Sequence, residues 1–482
     1  MHPVTPSPSS PRPGATAHLS VSHQQRHDRY TAALALLGSP EAIIRLGGAL
    51  ALVELADDWL TDETDPQEHG RRKAQTIITT LCAYICSPFQ LAHDYERLMG
   101  DHPQGWTPQQ ARRFRAEKTG LAAEAQVRGR ILTEIHDRVR WEPSDGGQPA
   151  TNTAPDPDKV TAGLWSHLRF DFSGAVFFYP VDFTQSYWGA GANFSGCSYR
   201  ETANLSASVY AAAAHFTAST YYGKAIFRNS VYCAAVHMSG CDYRGQVHAQ
   251  ATVYEAEANL SENTYREDAD WTRFTWRGRL HASGCTFGRD ANFTEGTWGS
   301  DVTHAACTYE KNAEFMSTAF HVNARMEGCT YRAGAYFSYS EFRGDTDFSG
   351  SVFRHDTEFV GCRWRGSADL SGCTLHHVSF EGSSHLGAIT FRGTQFSGGR
   401  CVFDRSVYAG GIDFTGAAQA TSTAQERTAG EPQVSFTDCF LNSHHENYFA
   451  HPVFTGSGLP AGSRYLTPEE TEDLANRLAA YM

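Results

Sequence analysis

Residues 192–221 read ANFSGCSYRETANLSASVYAAAAHFTASTY, and the same phrase returns in them every eleven residues. Ala192, Ala203 and Ala214 each stand two places before Phe194, Leu205 and Phe216, and Cys197, Ser208 and Ser219 two places before Tyr199, Tyr210 and Tyr221. Working outward, the step of eleven runs from Phe172 through Phe293 and Phe348 to Leu370, and only Ala249, Ala282 and His304 interrupt the large apolar residues. A second series five residues on, Phe177 to Leu375, is stricter and mostly aromatic: it includes Tyr243, Tyr265, Trp298 and Phe353. A fixed period makes the fold a stack of equivalent units, so it outranks every other feature of the chain.

Side chains two apart on an extended segment point the same way, so each small and large pair is one short strand with both members turned inward. Gly, Ser and charged residues between the pairs supply turns and surface. The period of the small residues is longer than eleven. Cys197, Cys241, Cys285, Cys307, Cys329 and Cys373 are separated by multiples of twenty-two, and only Cys362 falls in the other half-set. Trp188, Trp276, Trp298 and Trp364 obey the same spacing. One coil is therefore twenty-two residues with four faces. At about 4.8 Å per coil, roughly eleven coils make a rod on the order of 50 Å long.

Ala192-Asn193-Phe194-Ser195-Gly196, Ala291-Asn292-Phe293-Thr294 and Ala368-Asp369-Leu370-Ser371-Gly372 resemble the unit of the bacterial pentapeptide-repeat family. That unit is a small residue, a polar one, a central Leu or Phe, a small polar residue and often Gly. The resemblance implies a mainly β fold, a right-handed quadrilateral parallel β-helix. The units here are spaced alternately five and six residues, so one corner in two carries an extra residue. Arg29-Tyr30-Thr31, Leu37-Gly38-Ser39 and Arg45-Leu46-Gly47-Gly48-Ala49-Leu50 look like the short helical module that precedes such repeats in many bacterial proteins; the match implies capping or partner contact.

The expected organisation follows. Residues 1–27, rich in Pro, Ser and His, read as a disordered tail. Residues 28–140 form an α-helical module, with apolar residues recurring at three and four and with Thr107-Pro108-Gln109-Gln110 starting a helix. Pro40 suits the first turn of the second helix. Residues 141–165 read as a linker, 166–441 as the β-helix with a flexible loop at 416–433, and 442–482 as a C-terminal segment whose capping helix starts at Thr467-Pro468. After Leu375 the register slips, and Val434, Phe436, Cys439 and Leu441 predict a returning half-coil.

A net charge of −13 disfavours direct nucleic-acid binding. No apolar leader is visible, and the stretch Ala74 to Cys86 is too short and polar to span a bilayer. Twelve cysteines, most in an inward column, form no secreted framework, so a reducing cytoplasm is the expected compartment. Stacked thiols could bind a soft metal, but Cys alternates with Ser and Ala where only small volume matters, so packing is the expected role. Cys82 and Cys86 share a helix face and are read the same way. His215, His237 and His281 share one outward column with Asn259, while His248 lies on the opposite face with Asp270, Glu314 and Glu358. A metal site would need further ligands, and a solvated pair is the expectation. His376, His377 and His385, and the cluster Arg273, Arg277 and Arg279, lack an evident partner.

No catalytic residue, cofactor or metal is expected. A polysaccharide-cleaving β-helix enzyme would have unequal walls and clustered Asp, whereas the two halves of this coil match. The expected function is a non-catalytic protein-interaction scaffold with an unidentified protein partner. The alternative is a DNA mimic that binds DNA gyrase, as some relatives of such repeats do. Residues 171–418 hold 25 Asp and Glu against 19 Lys and Arg with the signs interleaved, which fits a scaffold better than a run of phosphate-like charge.

Overall fold

The structure, a computed structural model, describes residues 13–63, 66–101, 106–148, 152–419, 433–443, 445, 447–449, 459–470 and 472–473. Six helices come first: α1 (Pro13–Leu37), α2 (Ala42–Thr61), α3 (Gln67–Cys86), the short α4 (Gln90–His93) and α5 (Tyr95–Met99), and α6 (Pro108–Val139). Helix α1 starts at Pro13, so the reading of residues 1–27 as a tail fails over its second half; residues 1–12 lie outside the described residues. Thr107 caps α6 in a reciprocal box with Gln110, which satisfies two orphan N–H groups. Pro40 precedes the N-cap Glu41 rather than sitting in the first turn of α2. Among the described residues no helix is long and apolar enough to cross a membrane.

A parallel β-solenoid follows. Its strands are mostly two residues long and stack into four faces. Face A runs from Phe170–Asp171 to Ile412–Asp413, face B from Val176–Phe177 to Ala418–Gln419, face C from Val181–Asp182 to Gln433–Ser435, and face D from Val209–Tyr210 to Ser463–Tyr465. Faces A and D each contain 12 strands, one coil more than the repeat arithmetic suggests. Pairing is in register at twenty-two residues, as in Ala192 with Ala214 and Tyr221 with Tyr243.

The interior is a set of aromatic columns. Along face B the rings from Tyr199 to Phe353 stack nearly parallel with centroids 4.6 to 4.9 Å apart. That distance is the spacing of neighbouring strands, so the backbone ladder imposes it. Across the interior the rings meet edge-on, as Phe216 does with Phe227 at 84°, which is the more favourable geometry for their quadrupoles. Two of the four corners are tight. The third residue after the strand there takes a left-handed conformation: usually Gly where face A turns into face B, as at Gly196, Gly240 and Gly328, and usually another residue where face C turns into face D, as at Ala207, Arg273 and Glu295.

The slip after Leu375 is two local events. Phe353 pairs with Leu375, but Thr357 pairs with Val378, so one residue is lost at the corner where strands Val352–Glu358 and Thr374–Ser379 run continuously from face B to face C. Val378 then pairs with Cys401, and the extra residues fit at Gly398 and Gly399, both at positive φ. The chain returns after residue 432: Val434 pairs with Cys401 and Leu441 with Tyr408. Of the flexible loop read at 416–433, Ala418–Gln419 is instead paired strand and residues 420–432 lie outside the described residues. A strand at Ser463–Tyr465 adds the last rung to face D, and Thr467 and Glu470 exchange capping hydrogen bonds at the helical residues 468–470; residues 471 and 474–482, where the rest of the expected capping helix falls, lie outside the described residues.

Candidate binding surfaces

The interior leaves the protein little to work with but its outside and its ends. The residues read as its core, Phe194, Tyr199, Leu205, Tyr210, Phe216, Tyr221, Tyr243, Tyr265, Phe293, Trp298, Phe348 and Phe353, are all buried, as are Cys197, Cys241, Cys285, Cys307, Cys329 and Cys373. The small column has a role beyond volume. Ser219 Oγ donates to the carbonyl of Phe194 at 2.8 Å in the preceding coil and accepts from the N–H of Cys197 at 3.1 Å. Ser208, Ser230, Thr318 and Ser340 repeat the donation. The thiols do it more weakly, Cys197 to Phe172 at 3.1 Å and Cys307 to Ala282 at 3.2 Å. All twelve cysteines are free, and burial pushes the thiols of Cys197 and Cys373 up to about 12, so they are inert at neutral pH.

One coil breaks the small column. Phe274 takes the place of its Ser, packs 4.4 Å from Trp276 and 5.0 Å from Trp298 by ring centroid, and requires Gly296 in the next coil. A Cβ on Gly296 would lie 2.1 Å from the Phe274 ring. Trp271 and Phe274 are both buried in the same stretch of the interior as Ala249 and Ala282, the small residues of the central series.

The outer positions are tied within their own faces. Asn193, Asn259, Asp347 and Asp369 on face A accept from the N–H two residues on. Arginines bridge coils: Arg266 to Asp242 at 2.7 Å, Arg332 to Glu310 at 3.3 Å, Arg365 to Glu341 at 3.0 Å, Arg392 to Asp413 at 2.6 Å, and Arg277 to Glu255. On face C the outward column runs Asp182, Asn204, Ile226, His248, Asp270, Asn292, Glu314, Tyr336 and Glu358. Burial, then Asp290 and Asp270, raises the Glu314 carboxyl above its ordinary range.

His215 and His237 stack with centroids 5.0 Å apart, and burial followed by the His237 charge lowers the pKa of His215. His281 lies beyond Asn259, 3.6 Å from Glu257. Among the described residues no group of three or more His, Cys, Asp or Glu could hold a metal ion. Two further histidines differ from the expectation. His377 has a partner, Asp356 at 3.0 Å. His385 is an interior ring in the face D column, between Trp364 and Tyr408, and the lost corner residue hid that register.

The helical module seals the first coil. The Gln75 amide donates to the carbonyl of Arg169 and accepts from its N–H, both at 2.8 Å, and so stands in for the strand a preceding coil would supply. Asp57 accepts from Arg138 and from the indole N–H of buried Trp165 at 2.8 Å. Arg128, buried against Phe89 and Phe178, is held by Glu124 at 2.8 Å and the carbonyl of Ile85 at 2.6 Å. Cys82 is buried and Cys86 lies against the carbonyl of Asp171, so both pack at this seam. The segment read as a linker does not separate the two parts: Trp141 donates to the carbonyl of Ala207, and Glu142–Pro143 pairs with Val160–Thr161 to close the excursion.

Compared with known proteins, residues 315–363 match the family model described as pentapeptide repeats (9 copies). No curated protein and no solved structure matches the chain. The matched residues lie within the continuous stack, and the strands on either side pair with the same register. Residues 315–363 are therefore identified as pentapeptide repeats within a longer parallel solenoid of the same register, whose first coil a helical module closes.

Proposed function

We propose that the chain is a non-catalytic interaction scaffold, in which a rigid solenoid displays extended polar faces to a protein partner and the helical module holds its first coil closed. The observation that supports this most is the interleaving of outward charge: arginines bridge to Asp242, Glu310, Glu341 and Asp413 between coils, while Asp270, Glu314 and Glu358 on face C carry no arginine partner among the described residues, so the walls are mixed in charge. Such walls suit broad, specific protein contacts. They suit a gyrase-binding DNA mimic less, because a mimic needs a continuous run of carboxylates spaced like phosphates, and here arginines are interleaved with the carboxylates. Twelve free thiols fit a compartment that keeps cysteine reduced.

Photo-cross-linking residues placed singly on faces A to D and on the module should trap one partner from one face, and charge reversal on that face should abolish the product. No cross-link from any face would refute the scaffold. Purified protein at low salt should leave gyrase supercoiling unchanged. Inhibition that disappears when Asp270, Glu314 and Glu358 are neutralised would assign the protein to DNA mimicry instead.

A further inference from the structure

Helix α3 has two working sides. Arg71, Gln75 and Cys86 turn to the solenoid, where Arg71 and Gln75 bind the carbonyls of His167 and Arg169. His69, Lys73, Thr76 and Ile77 turn to α1 and line a cleft of about 220 Å³ that no packing contact of the seam uses. Its floor is apolar: Leu55, Trp59 and Ile77 are buried within the module. Its rim is basic, formed by Arg26 and His27 from α1 and Lys73 from α3.

The charges on this rim are uneven. Arg26 lies over the Trp59 ring at 4.4 Å and pairs with Asp62 at 2.8 Å, so its charge is balanced and the indole is clamped. Among the described residues, Lys73 and His27 form no ion pair and no carboxylate lines the cleft. An apolar floor below an uncompensated ammonium favours a ligand with an apolar body and one negative group, and repels a cation. The volume lies below the roughly 300–1,000 Å³ of sites for drug-sized molecules, so the body must be small.

We propose that this cleft binds a small organic anion with a planar apolar body, an aromatic carboxylate or sulfonate. The flat part rests on Leu55, Ile77 and the edge of Trp59, and the anionic group meets Lys73. This site is independent of the scaffold reading, since it lies on the side of α3 away from the solenoid.

The test uses the full chain and two dyes of similar shape, anionic anilinonaphthalene sulfonate and neutral phenylnaphthylamine, titrated by fluorescence. Lys73 and Thr76 are both exposed, and circular dichroism checks that their variants keep the fold. Lys73→Glu should weaken the anionic dye by about tenfold or more and leave the neutral dye unchanged, and Thr76→Trp on the lip should block both. If neither variant alters binding of the anion, the dye sits elsewhere and the proposal fails. It fails equally if the anion does not saturate a site, or if Lys73→Glu weakens both dyes alike.

Discussion

His304 is a histidine in a phenylalanine position, and it should make the solenoid sensitive to acid. Its ring is buried among Phe287, Phe293, Trp298, Tyr309 and Phe315. Nε2 bonds the Tyr309 hydroxyl, while Nδ1 is buried with no hydrogen-bond partner among the described residues. Burial lowers its pKa from 6.5 to about 4. The unfolded chain therefore takes up a proton between those values and the folded one does not. This contribution is fully present above about pH 6.5 and declines as pH falls toward 4. At ~1.4 kcal/mol per pH unit, the gap amounts to about 3 kcal/mol. His385, lowered to about 3 by burial, acts in the same direction. Replacing His304 by Phe, as in Phe293 and Phe315 of the same series, removes one of the two terms. Denaturant midpoints for parent and variant should be close near neutral pH and separate by about 3 kcal/mol near pH 4, with the variant the more stable. Proteolysis or hydrogen exchange around the altered coil would report the same change locally, which matters because long repeat arrays need not unfold in one step. Parallel pH profiles for the two proteins would refute the buried, neutral imidazole.

Tyr243→Asp would place an unpaired charge in the face B column and should cost several kcal/mol, read as a fall in melting temperature; an unchanged melting temperature would show that the column faces outward. Gly296→Ser should destabilise the parent by ~1–3 kcal/mol through its clash with Phe274. The same change in a Phe274→Ser background should cost much less, because the pair then matches the rest of the small column, and additive costs in the double-mutant cycle would argue against this coupling. Cys307→Ser should hold stability within about 1 kcal/mol, because the hydroxyl can also donate to the carbonyl of Ala282, whereas Cys307→Ala should lose about that much. Tyr232→Phe removes a buried hydroxyl that has no hydrogen-bond partner among the described residues, and should raise the melting temperature by the equivalent of about 1 kcal/mol.

What could be read in the sequence is what the coil repeats. Every coil makes the same demand on its central and small positions, so Phe194, Tyr199 and Cys197 state their environment many times over. Single events are different. Gln75 meets Arg169 once, Asp57 meets Trp165 once, and neither spacing recurs, so the seam between module and solenoid left no periodic trace. The early start of α1 was hidden because its Pro, Ser and His composition matches that of an unfolded tail. His385 was missed because one residue is lost upstream, which shifts each later ring off the step of twenty-two until Gly398 and Gly399 restore length. Phe274 and Gly296 were visible in principle: aligned by coil, a Phe stands where its neighbours have Ser or Thr, and a Gly follows one coil later. The outer walls carry the least information of this kind. Thr303, Arg325 and Asp347 occupy successive outward positions of face A, so the fold admits varied residues there and does not by itself determine which one each coil carries. The proposed interaction role therefore rests on how wall charges are arranged between coils, a property that appears only once the turns are stacked.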